Sequence, residues 1–579
     1  MSSPWTVGPF VLILGAVEAG ALASARSLGL SQDPATASPV TPAPPPGDGA
    51  GPEPASDSPS VGAAEDPARV YTLGALVLST RDIYAAEDAE ESVLAGLLNA
   101  THATTRERTI RNELWLAPGD PITQADAEEL ERNLRATGLF AEVRVQLRPT
   151  LNPDVVDLVV ETEDRLSFSF GASGSFVGAV SSLGATISES NFFGTGDRVS
   201  FGFSENSEDE FRGALSYRDR HFLGSWVTAT MQVGRTEEGD FGSLGFERPF
   251  KYLADDDSWR VNVSSTESAI DYYDAGETVA EVPQKRDSLE AAVFRRFGPV
   301  DERWTVGLRG QHDDATIGEA RGPAAATLDV PGDTETSFGG ASLGYRYLLG
   351  FRKVQGLDTL EYVQDLTLST GFELLGGATL RAEDGEEDAV QPTFGVGTHL
   401  DAEVMRDTFL AVRADARART DGGDAEGWNA SLDASVFELA FRPHTLAGRF
   451  AFDEAYEGEA LPIQLTLGED VGLRGYPSRE FTGGRVVRLN LEDRIDLGAR
   501  AGSFEFGAVV FFDAGWIEDR GQGFGVPLRS AGFGLRVGSQ KLLGSRVLRI
   551  DLSFPLDDVD GEEYDPLVSL TLGQVFGFQ

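Results

Sequence analysis

The densest run of chemistry-bearing residues in this sequence is GLRGYPSREFTGG, Gly472 to Gly484, where Arg474, Gly475 and Tyr476 sit between glycines. A guanidinium presents five donors in a rigid fork and pairs best with carboxylates. Alternation downstream supplies them. In Phe504–Gly515 the residues Phe504, Phe506, Ala508, Val510 and Phe512 form an apolar face, which leaves Glu505 and Asp513 on the other face. In the strand-like run before it Val487, Leu489 and Leu491 are apolar, so Arg488, Asn490, Glu492 and Arg494 share the polar face.

Other runs match catalytic patterns only on paper. Gly340-Ala341-Ser342-Leu343-Gly344 fits the G-x-S-x-G expression of serine hydrolases, but it lies inside the alternating run SFGGASLGYRYLL, without the strand–turn–helix elbow that exposes a nucleophile. His102, His221, His312, His399 and His444 are scattered, with no ligand-like spacing. The acidic runs Asp384–Asp388 and Asp255–Asp257 read as solvated loops rather than calcium loops, and Gly194-Thr195-Gly196 lacks the rest of a dinucleotide fingerprint. There is no cysteine, so disulfides, thiolate metal sites and cysteine nucleophiles are excluded. No catalytic, cofactor-binding or metal-binding residue is assigned, and the chain reads as a non-enzyme.

The 579 residues allow a small domain and a large one, and a net charge of -45 argues against nucleic acid as a partner. Residues 1–25 read as a secretory signal: Val7–Ala25 is apolar, is interrupted by Glu18 and ends in Ala23-Ser24-Ala25, although no Lys or Arg precedes it. Residues 26–68 are a linker rich in Pro, Ala, Gly and Ser that cannot bury enough surface to order itself. No later stretch approaches the ~18–20 apolar residues of a spanning helix, so any membrane crossing must use strands.

Residues 70–164 read as a compact α+β domain of order β-α-α-β-β. Tyr71–Tyr84 is strand-like. Thr104 or Thr105 can cap a helix bearing Ile110 and Leu114, which Pro118-Gly119-Asp120 ends. Thr123 precedes a second helix bearing Leu130 and Leu134, which Gly138 stops, and strands follow at Phe140–Leu147 and Val155–Glu161. From 165 to 579 helical periodicity disappears. Leu166, Phe168 and Phe170, then Val199, Phe201 and Phe203, and near the end Leu548, Ile550, Leu552 and Phe554, all alternate with polar residues. Fifteen to twenty such segments without an intervening helix, with charges on the polar face, are the signature of a transmembrane barrel with a wet interior. The last segment, Leu567–Phe578, places Val568, Leu570, Leu572, Phe576 and Phe578 on one face.

Three stretches carry a resemblance. The phrase TIRNELWLAPGDPIT…LERNLRATGLFAEVRV, with Ile110, Glu113, Leu114, Gly119, Asp120, Leu134, Gly138, Phe140 and Val143, resembles a polypeptide-transport-associated (POTRA) domain. The Arg474-Gly475-Tyr476 loop together with VVFFDAG at Val509–Gly515 resembles the loop motif and following strand of the BamA/TamA-type outer-membrane assembly superfamily. SESNFFGTGDRVSFGF, with Asn191, Phe193, Gly194, Gly196 and Asp197, resembles an early turn of the same barrels. The aromatic C-terminal segment resembles an outer-membrane recognition signal, with Gln579 in place of a terminal aromatic.

The resemblance implies a sixteen-stranded antiparallel barrel in the bacterial outer membrane, with one POTRA domain in the periplasm and no cofactor. It implies that the arginine loop folds into the lumen, where Arg474 meets Asp513 and, as second acceptor, Glu492, with Arg494 beside them. It also implies a seam between a first strand with Leu166, Phe168 and Phe170 and a last strand with Leu570, Leu572, Phe576 and Phe578. The expected partners are unfolded outer-membrane or secreted clients, captured as an added strand on the domain's sheet edge, with lipid bilayer, lipopolysaccharide and periplasmic or lipoprotein accessories around them. A transporter for one exoprotein, and a passive channel or structural anchor, use the same parts and stay open.

Overall fold

The computed structural model describes residues 69–578, apart from most of 86–101, the stretches 178–179, 207–210, 384–387, 422–423, 457–463, 519–524 and 544–545, and positions 329, 331, 361, 560 and 562. The expected signal segment, the linker and most of the 384–388 acidic run lie outside the described residues.

The small domain is a four-stranded sheet in the order β2-β1-β4-β3, made of β1 (Tyr71–Arg81), β2 (Pro121–Ile122), β3 (Phe140–Pro149) and β4 (Val155–Asp164). β1 runs parallel to β4, and β3 antiparallel to it. A parallel pair needs a long crossover, which here contains α1 (Glu107–Asn112) and α2 (Gln124–Ala136). α2 starts where Thr123 and Asp126 exchange side-chain and backbone bonds as a capping box, and its Ala127, Leu130 and Leu134 are fully buried against Leu73, Phe140, Leu158 and Val160. Two local expectations need correction. The two-residue β2 is too short for alternation to show, and it pairs with Tyr71 and Thr72. Neither Thr104 nor Thr105 caps α1: Arg106 takes the cap position without a side-chain bond, because Thr105 is committed to Asp164 and Asn191.

The large domain is a closed barrel of twenty strands, from Phe168–Val177 to Leu567–Leu572, each antiparallel to its neighbours. The count corrects the sixteen expected from resemblance. Among the described residues the strands pair in chain order around the wall, except where the lumen hairpin intervenes between the strands His444–Tyr456 and Arg485–Ala501, and every ladder is long except the one that closes the last strand on the first. Phe201 (50% exposed), Val233 and Val510 (56%) stand on that outer face, while Val509, Phe511 and Asp513 of the same strand as Val510 are buried inside. A crossing needs about 9–11 residues. Phe211–Asp219 matches this with 9, whereas Glu277–Phe297 and Thr334–Val354, with 21 each, run well past it.

Candidate functional site

The segment from Leu465 to Gly483 drops into the lumen as a small hairpin, with Leu465–Leu467 paired to Phe481–Gly483 and Arg474 at its inner end. Arg474 is fully buried. Its Nε and Nη2 donate to the two oxygens of Asp513 at 2.7 and 2.9 Å, a bidentate fork. Its Nη1 lies 2.8 Å from Glu492 and 3.5 Å from Asp551, and its guanidinium stacks on Phe511 at 3.5 Å. Asn490 donates to Asp513 at 2.8 Å and to the Gly472 carbonyl at 2.6 Å, so the wall holds the loop's backbone as well as its charge. Gly475 has φ +96, and a Cβ there would sit 3.1 Å from Ser530. Tyr476 is buried, and its hydroxyl bonds the carbonyls of Arg529 and Asp557.

Arg494 stands apart from this fork. It donates to Glu492 at 2.8 Å, which it shares with Arg474, but its other nitrogens reach the carbonyls of Leu357 and Phe576. Asp551, Arg536 and Arg549 complete the buried cluster, with Asp551 2.5 Å from Arg536 and 3.2 Å from Arg549. These three were open to sequence reasoning, since Arg549 and Asp551 fall on the polar phase of an alternating strand. What alternation cannot supply is which polar residues across the lumen meet.

The seam is short. Leu567–Leu572 faces Phe168–Val177 at two pairs, Ser569 with Ser175 and Leu570 with Gly174, whereas on its other side it faces Val547–Pro555 at six. Phe168, Phe170, Leu570 and Leu572 lie in the two seam strands. Leu166 does not: it precedes the first strand, buried beside Ile83, and its amide donates to the Lys541 carbonyl. Phe576 and Phe578 also leave the seam. The strand ends at Leu572, Gly573 turns the chain (φ +105), and both rings are buried against Phe437 inside the barrel.

The small domain sits against the turns at the end of the barrel where the chain enters. The Asn191–Gly196 turn is its knuckle. Asn191 donates to Thr105 Oγ1 and the Ala103 carbonyl, and the Gly194 carbonyl accepts from Arg106 and Thr109. A Cβ on Gly194 (φ +75) would stand 2.4 Å from the Thr104 carbonyl, which explains the glycine better than turn geometry alone. α2 supplies the rest: Arg135 forks onto Asp365 at 2.6 and 2.8 Å, Glu131 pairs with Lys353 at 2.7 Å, and Glu129 accepts from the Leu253 amide at 2.8 Å. Burial pushes the Glu129 carboxyl up to about 7, against the pull of the Leu253 amide, whereas Arg135 and Lys353 hold Glu131 below its usual range despite its burial.

A buried relay fastens the hinge between the domains. His102 bonds Asp164 at 2.9 Å through Nε2 and Ser167 at 3.1 Å through Nδ1. His102 and Asp164 are fully buried, which closes this Ser-His-Asp arrangement to any substrate and leaves it a structural clasp. Its three members are 62 and 3 residues apart in sequence, so spacing does not reveal it.

Comparison with known proteins fits these parts. The POTRA family, described as "Surface antigen variable number repeat", matches residues 99–164. A curated protein of Treponema pallidum, "Putative outer membrane protein assembly factor", is 28% identical over 185 residues, and the match spans 29% of this chain and 22% of that protein's length. Among solved structures, BamA of Haemophilus ducreyi lacking POTRA domains 1–3 overlays with a TM-score of 0.38 at 12% identity, covering 86% of this chain and 84% of that one. CdiB of Acinetobacter baumannii overlays at 0.41 and 12%, covering 87% and 74%. Overlaps this loose carry no functional argument. The POTRA match over the small domain and the sequence relative support a likeness to the BamA/TamA-type family, and the chain spans less than a quarter of that relative's length.

Proposed function

We propose that this protein inserts or translocates other polypeptides at the outer membrane by pairing backbone with backbone, without enzymatic chemistry. The observation that carries this reading is the two-pair seam. An unpaired stretch of strand edge is a template for an incoming strand, and at the seam such an edge lies in the membrane wall itself. The same logic applies in the periplasm. From Leu76 to Arg81, β1 pairs with β4 and with no other described strand. The opposite edge, on β3, is partly taken: Glu131 caps the Val145 amide and Gln540 caps the Ala141 carbonyl. In this reading a client adds to β1 and is handed to the seam. The lumen filled by the Arg474 hairpin argues against a passive channel, because its buried ion pairs stand where water and ions would pass.

Photocrosslinkers placed in cells at Val77, Ser79 and Arg81, and at Ser175 and Ser569, test it. Adducts to nascent outer-membrane barrels mean insertion, and one secreted partner means dedicated export. Silence at all five positions overturns the reading.

A further inference from the structure

The lumen hairpin is held at the outer end of the barrel as well as at Asp513, and one of these holds reaches the seam. On the far wall Gln464 exchanges two bonds with the Tyr273 backbone, accepting from its amide at 2.8 Å and donating to its carbonyl at 2.9 Å, and Arg479 donates to the Tyr273 hydroxyl at 2.6 Å. Gly276 (φ +76) brings the same tip so close that a Cβ there would stand 3.0 Å from the Glu480 carboxylate. On the near side Glu480 accepts from the Tyr564 hydroxyl at 2.9 Å, and the Tyr564 ring meets Tyr476 and Phe481 edge-on at 5.1 and 6.3 Å. The hairpin therefore spans the outer mouth, from the turn between Asp257–Asp274 and Glu277–Phe297 to the connection that carries Tyr564.

That connection, 556–566, joins Val547–Pro555 to Leu567–Leu572, and Tyr564 stands three residues before the last strand begins. Its first residues belong to the wall, where Arg529 forks onto Asp557 at 2.5 and 3.0 Å. Its last residues are tied to the hairpin through Tyr564. Two backbone pairs are a slight hold for a whole strand, and a hydroxyl bonded to a charged acceptor contributes more than a neutral pair, with packed rings adding to it. We propose that the lumen hairpin is the latch of the seam: Tyr564, gripped by Glu480, Tyr476 and Phe481, is the positioning residue that keeps the outer end of the last strand against Phe168–Val177, and its release lets the seam part. The proposal rests on the strand-admitting reading of the seam and names what keeps that seam shut between clients. Because the hairpin keeps its grips on Asp513 and Tyr273 when Tyr564 lets go, release frees the strand and leaves the plug in place.

The test uses the full chain. It has no native cysteine, so Ser569→Cys places a single thiol on the last strand, where the native side chain is 4% exposed. Its rate of labelling by a water-soluble maleimide, in folded protein without any client, reads how often the seam parts. The expected result is labelling at least tenfold faster with Tyr564→Ala, about threefold faster with Tyr564→Phe, which keeps the ring and loses the bond, and unchanged with Glu480→Gln, which keeps an acceptor. A single thiol at Ser435→Cys, 3% exposed in the long-laddered strand Asp424–Glu438, should label at one rate throughout, and the stretch from Gly472 to Gly484 should stay protected from protease. Unchanged labelling at position 569 in both Tyr564 variants overturns the latch, and so does an equal rise at position 435 or cleavage of the hairpin, since either means general loosening. Labelling is read without assembly, so failure of the latch and failure of the assembly reading are separable.

Discussion

The wall around Asp513 and the seam strand three strands later are built from the same alternating pattern, yet one is over-determined and the other barely closed. Around Arg474 four guanidiniums and three carboxylates are buried together, tied by a bidentate fork, a stacked ring and bonds to the loop backbone. At the seam two facing pairs join Phe168–Val177 to Leu567–Leu572. Rigidity next to a weak joint is the arrangement that the proposed strand exchange at the seam requires.

Breaking the rigid side has the largest expected effect. Asp513→Asn leaves Arg474 without its fork in a dry site, and removing one partner of a buried pair costs ~3–5 kcal/mol. The expected outcome is loss of heat-modifiable migration and protease cleavage between Gly472 and Gly484. Intact migration would mean that Glu492 and Asp551 hold the loop unaided. A smaller effect comes from the knuckle. Gly194→Ala places a Cβ against the Thr104 carbonyl at positive φ, a strain of ~2 kcal/mol, and loosens the small domain from the mouth without opening the barrel. Hydrogen exchange at Arg106 and Thr109 would rise while the barrel strands stay protected.

The smallest effect is set by pH. With its carboxyl raised to about 7 in the docked domain from 4.5 when free, Glu129 favours docking most fully below pH 4.5, and that contribution is lost as pH rises through 7. Between pH 6 and 8 docking weakens by about 1 kcal/mol, read as faster exchange of the Leu253 amide, and Glu129→Gln removes the slope. An unchanged slope in that variant would place the titrating group elsewhere.

Much of this was legible in residue pattern. Period two puts Glu492 and Asp513 on the lumen face, and a glycine-flanked arginine has few other partners to seek, so the Arg474 fork follows from alternation plus resemblance. The twenty strands lie at the upper end of the fifteen to twenty alternating segments that the sequence shows, whereas the resemblance implies sixteen. Phe576 and Phe578 keep the strand's period after the strand has ended, so pattern alone leaves them on the wall: Gly573 turns the chain, and the rings that receive them, Phe409 and Phe437, come from strands much earlier in the sequence. The hinge clasp of His102, Asp164 and Ser167 is invisible in pattern because the fold of the small domain brings its members together, and the α2 contacts to Lys353 and Asp365 because they join segments that meet only when the domain docks on the barrel.

The most direct test locks the weak joint. The chain has no native cysteine, so Ser175→Cys with Ser569→Cys forms a single defined crosslink across the seam. If strands pass through that joint, the oxidised protein stops assembling clients in reconstituted vesicles and a reductant restores assembly at least tenfold. Full assembly with the seam covalently closed would contradict it, and would leave the two-pair joint as a static closure.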